Sequence, residues 1–292
     1  MDLLSPVNVR HASHGRTHFF GIVIALLLLQ ACGEAEPEKV KEPEWVLTPV
    51  TKVVEFPTDI EILTDSLVPA ILYSQVDGLD SLPILEKKQR FFSALLPAIL
   101  VAKHKIEQDR IRLDSLLNTK TWTSPDSLFY QELCDTYRTE DTLAISRALE
   151  THPNSIVLAQ AAVESGWGNS RIFKEANNLF GIWSYRRNEP RIAASIKRGD
   201  QTIYLRKYND LSESIYDYFV TLGRSRHYSK FRRTRMQTDS VELLLPHLIN
   251  YSERREHYVL QLATMIRFNQ LKRYDHYQLD SSYFKPVMPP AE

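Results

Sequence analysis

Cysteine is almost missing from this chain: Cys32 and Cys134 are the whole supply among 292 residues. Two thiols exclude a disulfide framework. Net charge is missing as well, since 36 Lys and Arg balance 36 Asp and Glu. A nucleic-acid binder would be more basic, so no nucleic-acid partner is expected. Long apolar runs are absent too. The best, Phe19–Leu29, has 11 residues where roughly 20 are needed to span a bilayer as a helix. No internal repeat is visible. The histidines, His152, His227, His247 and His257 among them, show no metal-ligand spacing with cysteine or acidic neighbours. No metal and no cofactor are expected.

What is present is a globular composition, 43% hydrophobic and 25% charged, enough to bury a real core. The charge is unevenly spread. Residues 1–150 carry 15 basic and 22 acidic side chains, and residues 151–292 carry 21 and 14. That pattern reads as a basic working domain behind an acidic lead-in. Arg10 and Arg16 precede Phe19–Leu29, which has the length of a signal-peptide core. Leu29-Gln30-Ala31-Cys32 resembles the lipobox of bacterial lipoproteins. The resemblance implies cleavage before Cys32, a lipid on its thiol and membrane attachment through that lipid. With Gly33 and Glu34 following, and no aspartate, it implies the outer membrane, facing the periplasm. A short uncleaved anchor, or a plain signal with a chance cysteine, is the competing reading. The expected organisation is a signal peptide over 1–31, an acidic Pro-rich tether over 32–58, a domain over 59–280 and an irregular tail over 281–292. Cys134 is expected to be a packed thiol.

Apolar periodicity is mostly helical. Phe92, Leu95, Leu96 and Ile99 predict a helix from about Glu86, with a kink or restart at Pro97 and Ile106, Leu113 and Leu117 continuing its face. Further helices are expected over 126–137 and 142–150. Asn154 or Ser155 should cap the next one, which Gly166 and Gly168 end. Alternation within 191–208 predicts one β-hairpin around a turn at 197–201. Helices follow from Ser212, over 240–248, and from Ser252, the last burying Val259, Leu262, Ala263 and Ile266.

One residue stands out. Glu164 ends an apolar helix directly before Ser-Gly-Trp-Gly. The negative end of the helix dipole and partial burial both disfavour a carboxylate there. A raised pKa suits a general acid that must be protonated near neutral pH. A surface or hydrogen-bonding role is the alternative from position alone.

The wider text narrows the choice. Ala159-Gln160-Ala161-Ala162-Val163-Glu164-Ser165-Gly166-Trp167-Gly168-Asn169-Ser170, followed by Asn177-Asn178-Leu179-Phe180-Gly181-Ile182, resembles the signature of the bacterial glucosaminidase domain. This is the glycoside hydrolase family 73 group, mannosyl-glycoprotein endo-beta-N-acetylglucosaminidase-like. Ser214–Tyr218, His227–Arg232 and Tyr251–Arg254 with Tyr258 are similar to its Bax-type branch. The resemblance runs from about Glu86 to Leu271. It implies a mainly α fold with a small β-hairpin lobe (α+β, lysozyme-like), the two lobes flanking a groove for a glycan strand. It implies hydrolysis of the β-1,4 bond after N-acetylglucosamine in peptidoglycan, with Glu164 as general acid. Tyr251 matches a groove tyrosine, or equally an aromatic packed on the core. A monomer is expected.

The sequence departs from that pattern in one place. Many relatives carry a second glutamate on the hairpin, but residues 191–208 contain none, and Ser195 falls near its place. Glu189 and Asp200 flank the hairpin and are the candidate substitutes. The other route is substrate assistance, in which the sugar's 2-acetamido group attacks its own anomeric carbon. A lytic transglycosylase would also need one acid, and a non-catalytic peptidoglycan-binding lipoprotein would need none. Trp183 and Tyr185 are expected to stack on sugar faces, and Trp167 to sit in the core. Arg224, Arg226, Lys230, Arg232, Arg233 and Arg235 form either a basic groove wall or a solvated helix face.

Overall fold

The structure is a computed structural model and describes residues 43–195 and 202–288. Two short strands begin it, β1 (Glu44–Leu47) and β2 (Val50–Val53), followed by β3 (Leu67–Val68) and β4 (Ile71–Ser74). A 34-residue helix, α1 (Ile84–Leu117), comes next, then α2 (Ser124–Tyr137), α3 (Thr142–Ala148), α4 (Asn154–Ser165) and α5 (Arg171–Ala176). Strands β5 (Arg191–Ala193) and β6 (Tyr204–Arg206) form the antiparallel hairpin. Helices α6 (Leu211–Arg224), α7 (Ser229–Arg235), α8 (Val241–Leu244) and α9 (Glu256–Phe268) follow, and β7 (Gln278–Leu279) and β8 (Phe284–Val287) close the chain. The architecture is therefore mainly helical with small strand pairs, as the periodicity implied. Among the described residues no helix is long and apolar enough to cross a membrane.

Helix α1 packs against α6 and α4 and forms the axis of the core. Its segment Phe91–Leu100 is buried on every face. The expected restart at Pro97 does not occur. Proline leaves the Ser93 carbonyl without its helical donor, a cost of about 3 kcal/mol in an exposed helix. Here Leu95, Leu96, Ala98 and Ile99 are fully enclosed on both sides of it, and that burial outweighs the lost bond. Beyond the proline the buried seam runs through Ile106, Leu113 and Leu116, while Leu117 faces solvent.

Other expectations are corrected as well. From Glu44 onward the Pro-rich lead-in is not a tether. Strand β1 pairs antiparallel with β8, and β2 pairs in parallel with β4. The same β1–β8 pairing orders residues 284–287 of the supposed tail. Short, weakly alternating strands carry little local signal, and their partners lie far along the chain. Helix α9 starts at Glu256, after a turn through Ser252–Arg255, and its buried stripe is Tyr258, Leu262 and Ile266, with Ala263 exposed.

Helix α4 is enclosed almost completely, so its first turn is capped from elsewhere. The Asp275 carboxylate accepts the Ser155 N–H at 2.7 Å and the Ser155 hydroxyl at 2.9 Å. Neither Asn154 nor Ser155 caps the helix itself; Asn154 Nδ2 instead donates to the Tyr274 carbonyl at 2.8 Å. From α1, Lys103 donates to the His152 carbonyl and to Asn154 Oδ1, at 3.1 and 2.9 Å. Burial pulls this lysine down to about 8. Cys134 is a buried thiol between α2 and its neighbours.

Candidate active site

The turn after α4 fixes Glu164. Gly166 adopts φ +58° at the helix end, and its N–H and that of Trp167 return to the Ala162 carbonyl. Ser165 is fully buried; its hydroxyl donates to the Ala161 carbonyl at 2.7 Å and accepts the Gly168 N–H at 3.0 Å. Gly168, at φ +80°, lies where a Cβ would meet Leu79 and Phe173 at 3.1 Å each. Trp167 packs edge-on to Phe92 and against Phe91, with the Lys88 ammonium 4.9 Å above its ring, which places it in the core wall. The Ser-Gly-Trp-Gly text thus makes the chain reverse sharply and leaves Glu164 on the last turn.

Glu164 is partly buried. Burial raises its carboxyl above the ordinary value, opposed by the nearby Tyr258 hydroxyl and by the Arg254 charge. Tyr218, Tyr228, Tyr251 and Tyr258 all feel its charge, and burial and that charge hold their hydroxyls protonated. Tyr251 stacks on Tyr258 with ring centroids 5.6 Å apart and planes 6° apart. Tyr251 therefore both packs on the core and borders the acid. Behind it, Phe180 stacks on Tyr218 at 4.3 Å. Gln160, one turn before Glu164 on α4, is fully buried and donates to Tyr258 at 3.0 Å.

The two asparagines after α5 anchor the hairpin. Asn177 Nδ2 donates to the carbonyls of Tyr208 and Asn209, at 3.0 and 3.1 Å. Buried Asn178 donates to the carbonyls of Ile182 and Arg206 and accepts the Ile182 N–H. Arg171 reaches from α5 to the Ala193 carbonyl at 2.5 Å and the Ser195 hydroxyl at 3.3 Å. Trp183 joins the hairpin through a bridge to Leu205. It is 37% exposed, and Tyr185 beside it is 79% exposed, with ring centroids 6.1 Å apart. The pair presents aromatic surface to solvent.

Glu189 is bound up in the hairpin's polar network. One oxygen accepts from the Ser184 hydroxyl at 2.7 Å and the Arg186 N–H at 3.3 Å; the other pairs with Arg206 at 3.3 Å. Arg206 also donates to Asp217 at 2.6 Å, and Tyr208 donates to the same oxygen at 2.6 Å. Burial pushes the Glu189 carboxyl up, but these bonds and the arginine outweigh it and keep it ionised. The geometry gives Glu189 a structural employment. Asp200 and Cys32 lie outside the described residues. Among the described residues no group of three or more His, Cys, Asp or Glu side chains could hold a metal ion.

The basic cluster is only partly a surface. Arg235 is buried and donates to the Arg147 and Ala148 carbonyls, both at 2.9 Å. Arg232 donates to the Leu222 and Ser225 carbonyls, both at 2.7 Å. These two hold helix ends together, while Arg226, Lys230 and Arg233 face solvent. Sequence reasoning missed the roles of Gln160, Tyr218 and His152. The i, i+4 spacing of Gln160 and Glu164 was the one local sign that they share a face.

The family model described as mannosyl-glycoprotein endo-beta-N-acetylglucosaminidase matches residues 140–271. The chain is similar to protein bax of Escherichia coli (strain K12), with 25% identity over 211 residues that cover 65% of this chain and 75% of that protein. Among solved structures it is similar to the catalytic domain of the autolysin Auto of Listeria monocytogenes, with 22% identity, a TM-score of 0.38, and 58% of this chain and 97% of that one covered. It is also similar to the glycoside hydrolase domain of FlgJ of Salmonella typhimurium, with 24% identity, a TM-score of 0.34, and 48% and 88% covered.

Proposed function

We propose, from the premise that residues 140–271 form a glucosaminidase-family domain, that this chain is a peptidoglycan hydrolase with Glu164 as its general acid. The observation that carries the assignment is the setting of Glu164: an acid on the last turn of a buried helix, its pKa raised by burial, and its charge felt by Tyr218, Tyr228, Tyr251 and Tyr258. In this reading the protonated carboxyl gives its proton to the glycosidic oxygen between N-acetylglucosamine and the next sugar. The bond from that oxygen to the anomeric carbon breaks, and the leaving sugar departs as an alcohol. Positive charge develops on the ring carbon and oxygen.

The electron-rich partner for that carbon is the next question. Among the described residues, the groups whose titration is linked to the Glu164 charge are Tyr218, Tyr228, Tyr251, Tyr258 and Arg254, and none is a carboxylate. Glu189 has both oxygens engaged. These two facts favour the one-acid route. The substrate's own 2-acetamido oxygen closes on the anomeric carbon, and water then opens the ring intermediate while Glu164 takes back a proton. The exposed Trp183–Tyr185 pair suits stacking on sugar faces. A lipid on Cys32 and an outer-membrane location facing the periplasm belong to the same proposal and rest on the sequence alone.

The test is digestion of purified peptidoglycan by the full chain in detergent, beside Glu164→Gln, with products read by mass spectrometry. New reducing N-acetylglucosamine ends, lost in the variant, are expected. Anhydro-muramic ends would reassign the chain to transglycosylation. Retained sedimentation with the polymer and no cleavage would make it a binding module. Loss of membrane partitioning in Cys32→Ser tests the anchor.

A further inference from the structure

A cleft of about 900 Å³ runs along one side of α6, the size of pockets that hold small organic molecules. Its walls are α1 at Lys105, the end of α2 at Arg138, the hairpin segment at Arg186 and Arg206, and α6 at Tyr216 and Arg224. Tyr185, the more exposed member of the aromatic pair, also lines it.

Among the described residues, five basic and five acidic side chains line this cleft, but they are not equally engaged. Asp210 accepts the Ser212 and Glu213 N–H groups and so caps α6. Both Glu213 oxygens accept from Asn209, at 2.9 Å each. Asp217 accepts from Arg206 and Tyr208. Glu132 and Asp135 are exposed on α2. On the basic side, Arg206 is held by Asp217 and Glu189, and the Lys105 ammonium lies 4.2 Å above the Tyr216 ring. The side chains of Arg138, Arg186 and Arg224 make no hydrogen bond and no ion pair among the described residues. Arg224 is half-buried. Burial lowers its pKa, Arg138 and Arg206 add to that by like charge, and Asp217 opposes them. A half-buried guanidinium beside two others, with no acceptor of its own, favours an anion brought from outside.

We propose that this cleft holds the peptide branch of the glycan strand, with the Arg138 and Arg224 guanidinium groups receiving its carboxylates. The inference rests on peptidoglycan being the polymer, as proposed above. Its strands carry short peptides on alternate sugars, and those peptides bear free carboxylates. A planar guanidinium matches a carboxylate with two parallel N–H···O bonds. The cleft meets the surface proposed for the sugars at Tyr185, which lines the one and pairs with Trp183 in the other. Arg224 also lies four residues before Tyr228, whose hydroxyl feels the Glu164 charge. A sugar stacked on the aromatic pair thus has room for its branch against α6. The substrate class narrows from glycan strands in general to strands that carry anionic peptides.

The experiment uses the full chain in detergent and one batch of solubilised peptidoglycan, half of it with its peptide carboxylates converted to amides. Cleavage kinetics are measured on both halves. The wild type should prefer the free carboxylates about tenfold in kcat/KM, through KM with kcat little changed. Arg138→Gln and Arg224→Gln should each cut that preference about three- to fivefold, and the double variant should abolish it. Arg233→Gln removes the same charge from an exposed position on α7 and should keep the wild-type preference. No preference in the wild type would overturn the site, and this arm needs no variant to fold. An equal loss in Arg233→Gln would overturn it too, by showing general attraction between charges. If the wild type cleaves neither polymer, the hydrolase reading fails, and sedimentation with the two polymers judges the cleft. Tighter binding of the free-carboxylate polymer by the wild type, lost in the double variant, upholds it; equal binding of both polymers overturns it.

Discussion

Asp275 and Ser155 are 120 residues apart, yet one carboxylate of the first accepts both the backbone N–H and the hydroxyl of the second. The polypeptide after α9 thereby caps the helix that ends in Glu164. The acid sits at one end of α4, and the opposite end is locked by Asp275, Lys103 and Tyr274.

Asp275→Ala should therefore lower stability by about 1–2 kcal/mol, the worth of a lost helix cap and a buried hydroxyl left unpaired. A urea midpoint shifted down with unchanged slope is the expected record. An unshifted midpoint would mean that Ser155 finds water instead.

The two glycines after Glu164 should differ. Both have positive φ, but a Cβ on Gly166 meets nothing within 4 Å while one on Gly168 meets Leu79 and Phe173. Gly166→Ala should cost about 1 kcal/mol for its backbone alone. Gly168→Ala adds overpacking of about 1–3 kcal/mol. Thermal melts of the two variants side by side decide this, and equal melting temperatures would contradict the packing.

Glu164→Gln should be more stable than the wild type at neutral pH. The folded-state pKa is raised, so the folded chain holds a proton that the unfolded chain has already lost. Stability is thus intact below the ordinary carboxyl value and declines as pH rises through the folded pKa. A neutral amide removes that decline. The difference between variant and wild type should vanish in acid and grow toward neutrality, while activity falls at least about a hundredfold.

Glu189→Gln separates a structural carboxylate from a catalytic one. Loss of the Arg206 ion pair at the hairpin base should cost about 1–2 kcal/mol. Turnover should stay within about tenfold of wild type, since a removed general base would cost about a hundredfold or more.

Trp183→Ala should raise KM about five- to tenfold with kcat little changed, the loss of one stacking surface worth about 1 kcal/mol. A kcat effect alone would place Trp183 in the hairpin's support instead of on the substrate.

Some of this was legible in the sequence because its cause is local. The 3.6-residue apolar period announced α1, α2, α4 and α6. Gly166 marked a helix stop, and alternation within 191–208 marked the hairpin. Glu164 stood out because an acid at a helix C-terminus is unfavourable unless something uses it. Tertiary structure decided the rest. Strand β1 has no stable form without β8 from the far end of the chain. Pro97 is tolerated because both sides of α1 are enclosed. Arg232 and Arg235 read as surface charge, yet their guanidinium groups clasp carbonyls at helix ends that only folding brings near. The same holds for Gln160, Tyr218, Tyr258 and His152. Each is an ordinary residue in its own segment, and the buried hydrogen bonds that join them exist only because α4, α6 and α9 meet. Periodicity and capping act over a few residues and survive in the one-dimensional text; hydrogen bonds between elements depend on distances that the text does not contain.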